Sequence, residues 1–91
     1  MATATLIVRH QVPDYGAWRT VYDSVENLRQ QYGCYGAEVM TDPGNKNDVF
    51  VIHRFPALEA AQGFGGSSEL KEAMGRAGVT GAPRIEIATE A

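Results

Sequence analysis

The sequence contains one cysteine, Cys34, and only two histidines, His10 and His53. One thiol cannot form an intramolecular disulfide, and two scattered histidines lack the clustered spacing of a structural metal site. We therefore predict neither a disulfide nor a bound metal. A monomer of 91 residues is only marginally stable without such support. Association with a second subunit is the form of support that remains.

Clustered positive charge and long apolar runs are also missing. Eight basic against eleven acidic side chains give a net charge of −3, and no stripe of lysine or arginine is present. Binding to nucleic acid is therefore not expected. No apolar segment is long enough to cross a membrane. The first ten residues lack the basic segment and apolar core of a secretory signal, so we expect a cytoplasmic protein.

The composition is otherwise that of a folded protein, with 44% hydrophobic and 21% charged residues, and we expect one domain over residues 1–91. Residues 3–12 alternate and are rich in β-branched side chains, which predicts a strand. Apolar residues then recur every three or four positions over residues 14–32, which predicts one long amphipathic helix. Asp14 is placed to cap this helix and Gly33 to end it.

Two further strands are predicted over residues 34–42 and 48–55. The segment between them is dense in turn-forming residues and should close a hairpin. Gly36 is a candidate position for a bulge. Pro56 ends the third strand and is placed to open the next helix.

The last third of the chain predicts a helix followed by a strand. The helical pattern that begins at Leu58 is interrupted by glycines, so we expect one broken helix, whose second part is capped by Ser67 or Ser68 and ends at Gly78. The glycine-rich break lacks the G-x-G-x-x-G spacing and preceding strand of a dinucleotide site. Residues 84–90 alternate again and predict the fourth strand.

The order β-α-β-β-α-β predicts an α+β, ferredoxin-like fold, with a four-stranded antiparallel sheet in the order 4-1-3-2 and helices on one face. Sorting the strands by alternation leaves an apolar patch on the opposite, helix-free face, formed by Ile7, Met40, Phe50 and Ile52. Soluble monomers seldom expose such a patch, so we predict a homodimer that packs sheet against sheet. The charged residues on the same face, which must pair in a buried interface, are Arg9, Glu38, Arg54 and Glu86.

Over nearly its whole length the sequence resembles the dimeric α/β-barrel superfamily of antibiotic biosynthesis monooxygenase-like and cyclase-like proteins. The segments that carry the resemblance are Leu6 to His10 leading into Asp14, Tyr15 and Trp18, Gly33 to Gly36, Asp42 to Asn45, Ser68 to Met74, and Ala77 with Gly78. The resemblance implies two ferredoxin-like subunits joined through their sheets. It further implies a cleft between sheet and helices for a small aromatic or polyketide-like ligand. The monooxygenases of this superfamily oxidise phenols without a cofactor, and other members are isomerases, haem-degrading enzymes or proteins of unknown activity.

If that cleft exists here, its expected lining is His10, His53 and Tyr35 from the sheet and Trp18, Tyr22 and Phe64 from the helices. Either histidine is a candidate general base for a phenolic substrate, because imidazole titrates near neutral pH. The predicted register separates the two histidines by four residues, about 13 Å, so a ligand could contact both but a single metal ion could not. The aromatic residues are equally expected of a helix that simply buries its apolar face.

Two functions therefore stay open. The first is a homodimeric, cofactor-independent monooxygenase-like or cyclase-like enzyme that binds a small apolar or aromatic metabolite. The second is a ligand-sensing or structural dimer without catalytic activity. Cys34 has no basic neighbour in sequence, which favours a packing role over that of a nucleophile.

Overall fold

The computed structural model describes residues 3–91, which form four strands and four helical segments. In chain order these are β1 (Ala4–Gln11), α1 (Tyr15–Ser24), α2 (Glu26–Gln31), β2 (Gly36–Asp42), β3 (Asn45–Phe55), α3 (Leu58–Gly65), α4 (Ser68–Arg76) and β4 (Thr80–Thr89). Each predicted helix is thus a pair of shorter segments, and the predicted β-α-β-β-α-β order is confirmed.

The strands form one antiparallel sheet in the order β2-β3-β1-β4, which is the predicted order 4-1-3-2. Ile7 pairs with Ile52 across β1 and β3, and Val39 pairs with Val51 across β2 and β3. Because side chains alternate along a strand, this register puts the odd-numbered residues of β3 on the helix side. The residues that are buried there confirm the sorting of the two faces, namely Leu6, Val8, Val49, Val51 and Phe55.

The prediction of one continuous helix over residues 14–32 is wrong at Val25, where α1 ends and α2 begins. Val25 has φ −107° and ψ 23°, and its N–H bonds to the carbonyl of Tyr22, three residues back. Polar side chains compete for the carbonyls at this point. The hydroxyl of Ser24 donates to the carbonyl of Val21 at 2.6 Å, and Arg29 donates to the carbonyl of Tyr22 at 2.9 Å. The apolar periodicity continues through this interruption, which is why the sequence pattern did not show it.

The start of the first helix is as predicted. The Asp14 carboxylate accepts a hydrogen bond of 2.8 Å from the N–H of Ala17, as an N-cap does. At the other end, Gly33 follows α2 with φ +82°, a conformation that glycine adopts without strain. Both end signals were therefore correct although the helix between them is divided.

The hairpin between β2 and β3 is tighter than predicted. Asp42 pairs with Asn45, so the turn consists of Pro43 and Gly44, and the Asp42 carboxylate accepts the N–H of Gly44 at 2.9 Å. The register shifts between Thr41 and Asp42. The bulge thus lies at the turn and not at Gly36, which pairs regularly at the start of β2. Asn45 begins β3 three residues before the predicted start because the bulge lets the strands pair up to the turn.

The predicted broken helix is confirmed, with α3 and α4 separated at Gly66 and Ser67. The Ser67 hydroxyl accepts the N–H of Leu70 at 3.1 Å and so caps α4, and Gly78 follows with φ +79°. β4 begins at Thr80, before the predicted start at residue 84, although Pro83 lies within it. Proline is tolerated there because β4 is an edge strand and needs hydrogen bonds on one side only.

The helices do not cover the whole sheet. They pack mainly over β1 and β3, and the core lies between them. The helix side of β2 was expected to be buried, but Ala37 is exposed and Tyr35, just before the strand, is 60% exposed. Two helical pairs of this length cannot span four strands, so a groove remains between α1, α2 and β2.

Candidate functional site

The two histidines occupy the helix side of neighbouring strands. His10 lies near the end of β1 and pairs with Val49, whereas His53 lies near the end of β3 and pairs with Leu6. They are therefore offset by four residues, about 13 Å along the sheet. Both side chains are buried, with exposures of 6% for His10 and 3% for His53.

An aromatic row from α1 fills the space between the histidines. Trp18 and Tyr22 are four residues apart, so they share one face of α1. Trp18 lies 5.5 Å from His10 and 4.9 Å from Tyr22 between ring centroids, and Tyr22 is stacked 5.8 Å from His53. Phe64 of α3 closes the row, 5.3 Å from His53 with its ring edge-on.

A small cavity of about 50 Å³ lies beside this row, between the sheet and the helices. Leu70 and Met74 of α4 contribute to its lining. Five of the six predicted ligand-contacting residues line the cavity, namely His10, Trp18, Tyr22, His53 and Phe64. Its volume holds water or a few heavy atoms, and pockets for aromatic ligands are several times larger.

Three ring nitrogens of the two histidines that line this cavity have no hydrogen-bond partner in the described part of the chain. They are Nδ1 and Nε2 of His10 and Nδ1 of His53. Buried polar atoms without partners are uncommon in folded proteins, and each one calls for an explanation such as a water, an ion or a ligand. The walls of the cavity are almost wholly apolar, and the unused hydrogen-bonding capacity belongs to side chains that line it.

The fourth ring nitrogen is bonded within the protein. The Tyr22 hydroxyl lies 2.8 Å from Nε2 of His53. When the Tyr22 hydroxyl donates to Nε2, the single proton of a neutral His53 ring is on Nδ1. Nδ1, which has no partner in the described part of the chain, is then a hydrogen-bond donor.

Burial controls the ionisation of these groups. Burial, together with a smaller effect of the positive charge of Arg29, lowers the pKa of His53 to about 4. Burial also lowers the pKa of His10, although the negative charge of Asp48 opposes this change. The pKa of Tyr22 is raised, mainly by burial. At neutral pH the site is thus an uncharged pair of imidazoles beside a protonated phenol.

Tyr35 does not reach the cavity. It lies on the wall of the open groove between α1, α2 and β2, which has a volume of about 410 Å³. The same groove contains Arg29, which was not among the predicted site residues. Its spacing could have identified it, because the predicted continuous helix over residues 14–32 places Arg29, seven residues after Tyr22, on the same face.

The helix-free face carries the predicted patch. Met40 is 45% exposed, and Ile7, Phe50 and Ile52 are half-buried. Charges on this face pair within the chain. Arg54 contacts Glu38 at 2.7 Å, Arg9 contacts Asp48 at 2.7 Å, and Glu86 contacts Arg84 at 2.8 Å. We expected Arg9, Glu38, Arg54 and Glu86 to pair in an interface, but Arg54 and Glu38 already pair within one chain. Arg9 instead uses a carboxylate from β3, Asp48, that was not among the predicted charges.

Within residues 3–91, no group of three or more histidine, cysteine or acidic side chains is arranged to hold a metal ion. None of the helices described above has the length and apolar character that a membrane crossing needs.

Several solved structures share the fold of this chain. The chain has the fold of antibiotic biosynthesis monooxygenase-like proteins, as the resemblance of its sequence implied. One similar structure is such a protein from Bordetella bronchiseptica, with a TM-score of 0.82 and 10% identity over 100% of this chain and 99% of that one. No protein-family model and no curated protein matches the sequence.

Two further structures extend the comparison. A protein of the same type from Caulobacter crescentus has a TM-score of 0.75 and 16% identity over 96% of this chain and 88% of that one. SnoaB, a cofactor-independent oxygenase from Streptomyces nogalater, has a TM-score of 0.74 and 10% identity over 100% of this chain and 93% of that one. At these identities the likeness concerns the fold, and the function has to be argued from the site.

Proposed function

We propose that this protein is a cytoplasmic homodimer that binds a small apolar or aromatic metabolite between its sheet and helices and oxidises it without a cofactor. The bound molecule would lie against the aromatic row, with its polar group directed at His10 and His53. A phenol or hydroquinone combines these properties, because a planar apolar ring carries a hydroxyl that can donate to an imidazole nitrogen.

The observation that carries the proposal is the set of unpartnered imidazole nitrogens on two histidines that line one apolar cavity. A core that served packing alone would gain stability if aliphatic side chains replaced His10 and His53, because desolvating an imidazole without hydrogen bonds costs free energy. Two such residues beside one cavity are better explained by a ligand that supplies the missing bonds.

The two histidines are suited to different roles. A general base works best when its pKa is near the working pH, and a pKa of about 4 makes His53 a weak base. Its Nε2 is also occupied by Tyr22. His10 has both ring nitrogens free of protein partners, and Asp48 partly offsets the effect of burial on its pKa. We therefore assign proton abstraction to His10 and orientation of the substrate to His53.

The reaction class rests on the shared fold and on this chemistry. Removing the proton of a phenol leaves an electron-rich anion, which dioxygen oxidises more readily than the neutral phenol. In a monooxygenation, one oxygen atom enters the substrate as a carbonyl, and the other leaves as water with the two displaced hydrogens. SnoaB, with the same fold, is a cofactor-independent oxygenase. This likeness supports the class of reaction and does not identify a substrate.

The proposed dimer uses the helix-free face. Ile7, Met40, Phe50 and Ile52 form an apolar surface on paired strands, and the ion pairs around it leave few charges unmatched if it is covered. A twofold interface uses the same patch on both subunits, and an apolar patch without unmatched charges can pack against a second copy of itself. Covering it would supply the burial that a chain of this length lacks.

Oxygen consumption with hydroquinone tests the enzymatic proposal. We expect turnover by the wild-type protein, a loss of at least a hundredfold in His10→Gln, and a smaller loss in His53→Gln, in line with the usual contribution of a general base of about 10²- to 10⁴-fold. Tyr32→Phe is the control, because its side chain lines neither the cavity nor the groove. Unchanged turnover in both histidine variants would remove their catalytic assignment.

A ligand-sensing dimer is the second candidate, and one observation favours it. The depressed pKa of His53 limits acid-base chemistry at the cavity. Hydroquinone binding without oxygen consumption, measured by calorimetry in air-saturated buffer, would support sensing over catalysis.

A further inference from the structure

Tyr22 separates two spaces on the helix side of the sheet. It lines the buried cavity with His53 and Trp18, and it also lines the open groove beside β2. It is the one described residue common to both linings. The cavity alone is too small for an aromatic ligand, whereas the groove of about 410 Å³ is large enough. Displacement of the Tyr22 ring would join the two spaces into one site.

The groove contains an arginine without a counterion. Arg29 is only 8% exposed, and its guanidinium lies 4.0 Å above the ring of Tyr22. The one hydrogen bond of its guanidinium within residues 3–91 is the donation from Nη1 to the carbonyl of Tyr22. Four of the five other arginines each contact a carboxylate at 3.0 Å or less, namely Arg9, Arg19, Arg54 and Arg84. Arg29 is largely buried and has no such carboxylate partner in the described part of the chain.

Two acidic residues also line the groove, but neither pairs with Arg29. Asp23 is engaged by Arg19 at 3.0 Å, and Glu26 is exposed and forms no ion pair within the described chain. A buried guanidinium without an anion is costly, and a carboxylate is the group that its planar set of donors binds best. The groove therefore offers a preformed position for an anion from outside the chain.

We propose that the groove and the cavity form one bipartite site for an aromatic carboxylic acid, with Arg29 binding the carboxylate and Tyr22 acting as the gate through which the ring reaches His53. The inference rests on the proposed function and narrows its ligand from an aromatic metabolite to one that carries a carboxylate. Tyr22 is suited to gating because it is held by a single hydrogen bond, to His53, and by stacking contacts, and its side chain is not fully buried.

The bound anion would also act on the chemistry of the cavity. The charge of Arg29 opposes protonation of His53 and stabilises the ionised form of Tyr22. A carboxylate on Arg29 cancels much of this field. This removes only the smaller cause of the low pKa of His53, because burial, the larger cause, persists with the ligand bound.

Calorimetric binding of two matched probes tests the anion site. The probes are 2,5-dihydroxybenzoate and the neutral 2,5-dihydroxybenzamide, which share the hydroquinone ring. We expect the wild-type protein to bind the carboxylate about tenfold more tightly, as one charge-assisted pair at a partly open site provides. In Arg29→Gln the two affinities should agree within twofold. Arg76→Gln should retain the preference, since Arg76 lies in the last turn of α4 and lines neither the groove nor the cavity.

Cys34 supplies a second measurement that needs no variant. It is the only cysteine of the chain, it is partly exposed, and it lines the groove. We expect 2,5-dihydroxybenzoate at saturation to slow alkylation of Cys34 by iodoacetamide several-fold. An unchanged alkylation rate would overturn the placement of the ligand even if Arg29→Gln failed to fold.

The gate has a kinetic test. Tyr22→Phe keeps the ring and removes the hydrogen bond to His53. We expect 2,5-dihydroxybenzoate to associate about fivefold faster with this variant than with the wild-type protein. The association rate is measured by stopped flow from the change in Trp18 fluorescence. An unchanged association rate would show that Tyr22 does not limit access.

The outcomes separate this inference from the proposed function. Equal affinities for the two probes in the wild-type protein would overturn the anion site while leaving ring binding in the cavity intact. Failure of both probes to bind would overturn the ligand site in the cavity and the anion site together. A carboxylate preference that persists in Arg29→Gln would assign the anion to another residue and equally contradict the proposal.

Discussion

The Tyr22 hydroxyl lies 2.8 Å from Nε2 of His53, joining the first helix to the middle of the sheet inside an otherwise apolar layer. This bond fixes the ring of Tyr22 between the buried cavity and the open groove. It also leaves Nδ1 of His53 as the free atom in the cavity. One contact therefore controls both access to the candidate site and the polar group that the site presents.

Loss of this bond should destabilise the protein. In Tyr22→Phe, Nε2 of His53 loses its partner, and a buried group left unsatisfied costs about 1–3 kcal/mol. We expect the free energy of unfolding in urea to fall by about 1 kcal/mol. The control Tyr35→Phe removes an exposed hydroxyl with no such bond and should change stability by less than about 0.5 kcal/mol. Equal effects of the two substitutions would contradict the role of the bond.

Acid should unfold the protein partly through His53. Its pKa is about 4 in the folded protein and about 6.5 in the unfolded chain, so the unfolded chain binds more protons between these values. Stability is then fully present above pH 6.5 and is lost as the pH falls towards 4. Between pH 7 and 4.5, we expect a loss of about 2 kcal/mol from this residue alone, measured by urea unfolding.

The matched variant for the acid effect is His53→Gln, which removes the titrating group from the same position. Its stability should depend less on pH than that of the wild-type protein. Some dependence should remain, because burial lowers the pKa of His10 in the same direction. An identical loss of stability in wild type and variant would show that His53 does not carry the effect.

The oligomeric state should depend on the helix-free face. Ile52 lies at its centre, paired with Ile7 on one side and Glu38 on the other. We expect the wild-type protein to behave as a dimer in size-exclusion chromatography with light scattering, and Ile52→Asp to dissociate at micromolar concentration. Leu58→Asp is the control, since Leu58 is also partly exposed but lies at the start of α3. A stable wild-type monomer of 9.9 kDa would refute the proposed interface.

Two glycines at the end of α4 should respond in opposite directions to alanine. Gly78 has φ +79°, and an added Cβ would lie 3.1 Å from Pro13, so Gly78→Ala should destabilise by about 1–2 kcal/mol. Gly75 lies inside α4 with no atom within 4 Å of an added Cβ. Gly75→Ala should therefore stabilise by about 0.5–1 kcal/mol in thermal unfolding. The same sign for both would contradict the assignment of Gly78 as the end of the helix.

Much of the architecture followed from local patterns. Alternation in β1 and β3 placed His10 and His53 on the same face, and Asp14 and Ser67 marked helix starts that the structure confirms. These signals are local, because a cap or an alternating strand involves residues only a few positions apart. The division of the first helix at Val25 escaped prediction because it depends on side chains of Ser24 and Arg29 that bond to particular carbonyls.

The composition determined that this small chain has no disulfide and must obtain its stability elsewhere, and the order of its patterns determined the ferredoxin-like sheet. Tertiary structure alone decided that the helices leave β2 uncovered, because coverage depends on how two pairs of helices pack across four strands. It also brought Arg29 onto the ring of Tyr22 and Tyr22 onto His53. Such contacts join residues that are distant in sequence, so only the packing of helix against sheet can establish them.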